Sequence, residues 1–169
     1  MTNIQKQAKQ TTKLLAGVLF FANAGATHSQ ADTPCYAPEQ IQTLRADLLV
    51  EINRTRQTHN LARLQENNAL RRAAQRYSCH NANRGVISHR GSDGRYPPDR
   101  VEDVGYDFVF VGENLAVGFR EPAAVVEGWM NSPSHRELLL HETPEDIGLG
   151  IAAENALRWH WTMKVGTKP

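Results

Sequence analysis

Apolar residues recur at helical spacing in two stretches of the first half of the chain. From Pro38 to about Thr58 they fall at i, i+3, i+7 and i+11, as expected for one face of an amphipathic α-helix. These residues are Ile41, Leu44, Leu48 and Ile52. A second helix is predicted from Asn68 to Arg84, with Gly85 as its stop. The apolar face of this second helix consists of Leu70, Ala73, Ala74 and Tyr77.

Strand patterns dominate the second half. The run "FVFVGENLAVGF" (108–119) predicts a buried strand, and "DIGLGIAA" (146–153) and "ALRWHWTMKVG" (156–166) predict two more, joined at Glu154 and Asn155. The last run alternates strictly, which predicts one buried and one polar face. The polar face would carry Arg158, His160, Thr162 and Lys164, with His160 at the surface.

Shorter helical signals separate these strands. Residues 86–106 are rich in Gly, Ser, Asp and Pro and predict a loop, with a short helix from Pro98 to Val104. A third helix is expected to start near Glu121, and Ser132 followed by Pro133 predicts the N-terminus of a further short helix. Helices interleaved with antiparallel strands indicate one α+β layered domain.

The first 31 residues differ from the rest of the chain. They hold three lysines and no acidic residue, then the apolar run "LLAGVLFFANAGA" (14–26) and small residues ending at Ala26 or Ala31. This pattern predicts a secretory signal peptide over 1–31, with an N-terminal membrane anchor as the alternative. We therefore expect a secreted or periplasmic domain over 32–169 with no transmembrane segment after cleavage. Its slightly acidic balance gives no polybasic face, which argues against nucleic acid as a partner.

The two cysteines, Cys35 and Cys79, both lie in the part predicted to be exported. In an oxidising compartment two cysteines most simply form one disulfide, and two buried free thiols are the alternative.

The strand 108–119 carries an unexpected carboxylate, Glu113, at its centre. A buried charge needs a partner, and two histidines lie in settings that present side chains to a cleft. His89 lies in the glycine-rich loop and His135 in the first turn of a short helix. Together the three could hold a divalent metal or form a proton-transfer pair. The alternative is a set of satisfied buried polar residues.

Several motifs, taken in order, resemble one known family. They are "SHRGSDG", "VGENLAVG", "WMNSPSHRELLL", "IGLGIA" and "WHWTMKVG". The chain from about Leu44 to Gly166 is similar to the bacterial branch of the CAP superfamily, the cysteine-rich secretory, antigen 5 and pathogenesis-related 1 proteins, also called SCP/TAPS. The resemblance implies a three-layer α-β-α sandwich with a central antiparallel sheet and a cleft on one side.

The resemblance also assigns roles to residues. His89 and His135 match the two cleft histidines and Glu113 the glutamate of the G-E-N motif, a set that binds zinc or another divalent cation in some members. The position of the family's second acidic residue is Ser132 here. Asn53, Arg54 and Asn114 match recurrent positions that imply structural hydrogen bonds between loops and sheet.

Three functions are consistent with these residues. The resemblance favours a module that binds a lipid, a cell-wall component or a protein partner, without catalysis and without a fixed cofactor. The alternative is a hydrolase of peptide or cell-wall substrates that uses His89, Glu113 and His135 as catalytic residues. No G-x-S-x-G element is present to supply a serine nucleophile. The third possibility is a structural domain with no active site.

Overall fold

The computed structural model describes residues 35–36 and 38–169. The predicted signal peptide lies outside the described residues. The helices are α1 (Ile41–Thr58), α2 (Asn68–Arg84), α3 (Pro97–Glu102), α4 (Pro122–Met130) and α5 (Pro133–Leu139). The strands are β1 (Gln65–Glu66), β2 (Phe110–Val117), β3 (Asp146–Ala153) and β4 (Trp159–Thr167).

The strands form one sheet in the order β1-β3-β4-β2. The pairs β3–β4 and β2–β4 are antiparallel, whereas the two-residue β1 pairs with β3 in parallel. The expected antiparallel sheet is therefore present across its long strands, and β1 is an addition that the sequence pattern did not reveal. The sheet places β4, the last strand in the chain, between β3 and β2.

Helices cover both faces of the sheet, as the predicted three-layer sandwich requires. Helix α2 packs on β3 and β4, while α1, α4 and α5 pack on the opposite face. On β3, Gly148 and Gly150 face α2, where a Cβ at either position would lie within 2.5 Å of helix backbone atoms. These two glycines allow α2 to approach the sheet more closely than a larger residue would permit.

The predicted polar face of β4 is buried, which corrects the expectation of an exposed face. His160, Thr162 and Lys164 are each at most 2% exposed because β4 is a central strand and α2 covers this side. The predicted surface position of His160 is therefore wrong. Its Nε2 lies 3.0 Å from a carboxylate oxygen of Glu154. Thr162 accepts a hydrogen bond from Ser78 of α2, at 2.8 Å.

The structural roles assigned to α1 are correct for Asn53 and wrong for Arg54. Asn53 exchanges two hydrogen bonds with the backbone of Leu64, of 2.8 and 3.1 Å, and so holds the chain after α1. Arg54 is exposed and pairs with Glu51 on the same helix. The arginine that holds loops is Arg56, which is buried and donates to the carbonyls of Ala62, Leu139 and His141.

The predicted disulfide joins Cys35 to Cys79 of α2, with Cα atoms 5.3 Å apart. It fixes the start of the described chain next to the outer edge of β3. There the carbonyl of Tyr36 accepts a hydrogen bond from the backbone N–H of Ala153, at 2.8 Å.

Candidate functional site

Glu113 lies on β2 directly opposite Lys164 of β4. The Lys164 Nζ donates a hydrogen bond of 2.5 Å to Glu113 Oε2, and the two side chains are 0% and 1% exposed. Residues opposite one another in adjacent strands project to the same face. The carboxylate that interrupts the apolar strand is therefore half of a buried ion pair beneath α2.

Arg100 of α3 supplies a second cation to Glu113. Its Nη2 lies 3.2 and 3.3 Å from the two carboxylate oxygens and also donates to the carbonyl of His89, at 3.0 Å. The guanidinium lies over the ring of Tyr77, 3.5 Å from its centroid. One side chain thus connects α3, the sheet and the loop that carries His89.

His89, in the glycine-rich loop, is the third side chain that contacts the Glu113 carboxylate. Its Nδ1 lies 2.9 Å from Glu113 Oε1, and because a carboxylate only accepts, Nδ1 carries the hydrogen. The imidazole is 49% exposed, unlike the carboxylate beneath it. Since Nδ1 is committed to Glu113, the Nε2 of a neutral His89 is left with a free lone pair.

Burial and neighbouring charges shift the pKa values of Glu113 and Lys164. Burial alone raises the pKa of Glu113, but the hydrogen bond from His89 and the charges of Lys164 and Arg100 outweigh it, so the pKa is lowered. Burial lowers the pKa of Lys164 to about 8, with Glu113 acting in the opposite direction. Glu113 is therefore a carboxylate at neutral pH and has no spare proton to donate.

Tyr77 of α2 fixes the backbone of the loop that carries His89. Its hydroxyl donates to the carbonyl of Ser88, at 2.5 Å, directly before His89. Burial raises the pKa of Tyr77 to about 12, so the hydroxyl keeps its proton at physiological pH. The backbone on both sides of the His89 Cα is thus anchored, through Tyr77 at Ser88 and through Arg100 at His89 itself.

The backbone of His135, in α5, is held against β2 by Asn114. Asn114, the residue after Glu113, donates to the carbonyl of His135, at 2.8 Å. Adjacent strand residues project to opposite faces, so Asn114 holds the backbone of α5 at His135 on the face of β2 opposite to Glu113. Burial, and then the charge of His89, lower the pKa of His135, which favours its neutral form.

The structure therefore joins His89 to Glu113 by a hydrogen bond, whereas the link between His135 and His89 is the effect of the His89 charge on the pKa of His135. In the described part of the chain, no three His, Cys, Asp or Glu side chains are arranged to hold a metal ion. Sequence reasoning missed Lys164, Arg100 and Tyr77. The one available signal was Lys164, a lysine that the strict alternation of the last strand sets on one face with His160 and Thr162.

Comparison with known proteins places this site in a family. The family model described as "CAP: Cysteine-rich secretory protein family" matches residues 49–165. The chain belongs to the CAP family. The matched span contains every residue of the site described above, and the predicted family and fold class are thereby confirmed.

Relatives of this CAP chain occur in bacteria. It is 28% identical over 164 residues to YkwD of Bacillus subtilis (strain 168), covering 96% of this chain and 63% of that protein. It is 31% identical over 114 residues to the membrane protein YlbC of the same strain, covering 67% of this chain and 33% of YlbC. The chain thus spans less than two thirds of the length of both.

Two solved structures share this CAP fold at 25% sequence identity. An outer surface protein of Borrelia burgdorferi has a TM-score of 0.73, over 80% of this chain and 100% of that one. An extracellular SCP-domain protein of Bacillus anthracis has a TM-score of 0.69, over 80% of this chain and 45% of that one. Within residues 35–36 and 38–169, no helix is long and apolar enough to cross a bilayer.

Proposed function

We propose that this CAP domain acts outside the cytoplasm as a binding module, and that its cleft takes a divalent cation such as zinc through His89 and His135. The observation that carries the proposal is the orientation of His89. A buried, ionised Glu113 holds its Nδ1–H, and the ring remains half-exposed with Nε2 free. Metal-binding histidines usually donate their second ring nitrogen to such a carboxylate.

In this proposal Glu113 positions the ligand and does not contact the metal. As a direct third ligand it would have to give up its contacts with Lys164 and Arg100, leaving two cations without their shared partner. His135 suits the role of second ligand because its lowered pKa keeps the imidazole neutral. A site with two protein ligands leaves the remaining positions for water or for an external ligand.

The same contacts make a hydrolase the weaker candidate. A carboxylate that already accepts from His89, Lys164 and Arg100 is a poor general base, because its lone pairs are occupied and its pKa is lowered. The names of two relatives, the outer surface protein of Borrelia burgdorferi and the extracellular SCP-domain protein, support a location outside the cytoplasm.

Calorimetric titration with zinc tests the proposal. We expect saturable binding to the unaltered protein, loss of binding in His89→Ala and in His135→Ala, and an affinity about 10–100-fold lower in Glu113→Gln. His59→Ala is the matched control because His59 is an exposed histidine at the end of α1. Metal titration of the His59 variant should equal that of the unaltered protein.

Three outcomes would contradict the proposal. If the heat of zinc binding is unchanged in His89→Ala and in His135→Ala, these histidines are not the metal ligands. A lowered melting temperature in both variants, with no zinc binding by the unaltered protein, would instead support a purely structural cluster. Release of peptide or cell-wall fragments that depends on Glu113 would support the hydrolase.

A further inference from the structure

A separate open cavity of about 560 Å³ lies at the C-terminal end of α2, beside the glycine-rich loop 88–94. The residues that line it include Arg84, Ser88, Arg90, Ser92 and Asp93. His89, Glu113 and His135 do not line it. The volume falls within the range of small-molecule sites and is far larger than a single oxyanion requires.

The two arginines of this groove have uncharged hydrogen-bond partners. Arg84 contacts the Nε2 of His80, at 3.3 Å, and Arg90 donates to the carbonyl of Gly94, at 3.3 Å. Neither forms an ion pair with a carboxylate of the described residues. By contrast, Arg95 pairs with Asp103 a few residues further along the chain.

Neighbouring contacts hold the groove in shape. The Nε2 of His80 also accepts a hydrogen bond from the backbone N–H of Ser92, at 3.3 Å, so one imidazole faces both the loop and Arg84. Its ring stacks on Tyr77, with centroids 5.5 Å apart. Burial, and then the charge of Arg84, lower the pKa of His80, which keeps it a neutral acceptor. Gly94 turns the loop at a φ of +83°, which favours glycine.

Asp93 adds a negatively charged carboxylate to the same groove. Its Oδ1 accepts from the backbone N–H of Arg95, at 3.1 Å, which fixes the carboxylate at the groove. A carboxylate in the same groove as two guanidiniums that form no ion pair among the described residues suits a ligand that has an anionic group and hydroxyl donors. Arginine forks match the geometry of phosphate and carboxylate oxygens, and a carboxylate accepts from hydroxyl groups.

We propose that this groove binds a sugar-sized, polyhydroxylated ligand that carries one phosphate or carboxylate group. Arg84 and Arg90 contact the anionic group, and Asp93 accepts hydrogen bonds from hydroxyls. The site is independent of the His89–His135 cleft and does not require a metal.

Titration of the full chain by calorimetry and by amide chemical shifts, with four probes, tests this site. We expect saturable binding of glucose 6-phosphate or of glucuronate, which distinguishes a phosphate from a carboxylate ligand. Glucose and inorganic phosphate should each bind at least about tenfold more weakly, because each lacks one half of the recognised chemistry. Shifts should concentrate at residues 84–94.

Substitutions separate this site from general charge attraction. Arg84→Gln and Arg90→Gln should each weaken binding of the anionic sugar about tenfold, whereas Asp93→Asn should reduce its advantage over inorganic phosphate. Arg63→Gln is the matched control, since Arg63 is an exposed arginine just before β1, at the other end of α2. Arg84→Lys, which keeps the charge and loses the fork, replaces Arg84→Gln if that variant melts early.

Three results would overturn the proposal. They are no binding of either anionic sugar, an equal loss of affinity in Arg63→Gln and Arg84→Gln, and inorganic phosphate binding as tightly as glucose 6-phosphate. Zinc titration of Arg84→Gln should be unchanged, so failure of the metal proposal and failure of this one are distinguishable.

Discussion

Glu113 is a buried charge that is stabilised by its partners and that also holds those partners in place. A carboxylate buried alone would cost several kcal/mol, but here two cations and an imidazole share its two oxygens. The arrangement is asymmetric, because Lys164 is buried with it while His89 is half-exposed. Removal of the carboxylate would therefore strand a buried cation as well as free the histidine.

The stability of the domain should depend on pH through Glu113. Its pKa is lowered in the folded protein, so its contribution is complete above about pH 5 and is lost as the pH falls through the lowered folded value. In Glu113→Gln the free energy of unfolding should fall by about 3–5 kcal/mol at pH 7, because Lys164 loses its partner. Urea denaturation between pH 7 and pH 3 measures both effects.

The double variant Glu113→Gln/Lys164→Met is the control for this experiment. This variant removes both charges together, so its free energy of unfolding at pH 7 should be closer to that of the unaltered protein than that of Glu113→Gln. Its free energy of unfolding should also fall less between pH 7 and pH 3. A Glu113→Gln protein as stable as the unaltered one, with the same acid limb, would contradict the buried ion pair.

At the residue scale, the sequence pointed to candidates that sit in recognisable motifs, and the structure joins two of them, His89 and Glu113. Glu113, His89 and His135 were identified because a charge in an apolar strand and histidines in loop and helix-start settings are visible locally. Lys164, Arg100 and Tyr77 were not, because their roles depend on strand register and on the position of α3. Neither quantity is encoded in the spacing of nearby residues.

At the scale of single elements, the outer edge of β3 lacks a full-length neighbouring strand. The two-residue β1 pairs with only its first residues, and Tyr36 pairs at its far end. Between them the side-chain amide of Gln75 on α2 takes the place of a neighbouring strand. It donates to the carbonyl of Ile151, at 2.8 Å, and accepts from the N–H of Ile151, at 3.1 Å.

Gln75→Ala should therefore destabilise the domain although alanine favours helices. We expect a loss of about 1–3 kcal/mol, because two backbone groups of Ile151 lose their partners, and faster hydrogen exchange at its amide. Gln57→Ala, at an exposed position of α1, is the matched control and should stay within about 0.5 kcal/mol. Equal exchange rates for Ile151 in both variants would show that the amide does not protect this edge.

Element boundaries were predicted well where the pattern was long and periodic. Helix α2 and strand β3 have the predicted bounds, while α1 begins at Ile41, three residues later than expected. The two residues of β1 are too few to carry a pattern. The polar face of β4 was misassigned because alternation reports two chemically different faces and does not reveal that a second helix layer covers the polar one.

At the scale of the whole molecule, the Cys35–Cys79 disulfide attaches the start of the described chain to α2 across 44 residues. Replacing both cysteines by serine should lower stability by about 2–4 kcal/mol, mainly through the greater freedom of the unfolded chain. The melting temperature should fall by roughly 7–14 °C. Reductant should lower the melting temperature of the unaltered protein similarly and leave that of the double-serine variant unchanged. A domain insensitive to both changes would contradict this stabilising role.

The strand order has a consequence for how the chain can fold as it is made. The two strands at the centre of the sheet, β3 and β4, come last in the sequence, whereas β1 and β2 occupy its edges. A chain that has emerged only as far as residue 145 holds two edge strands with nothing between them, and Glu113 without Lys164. Such a chain has no sheet on which α1 or α2 can pack, so the domain must form late and nearly all at once.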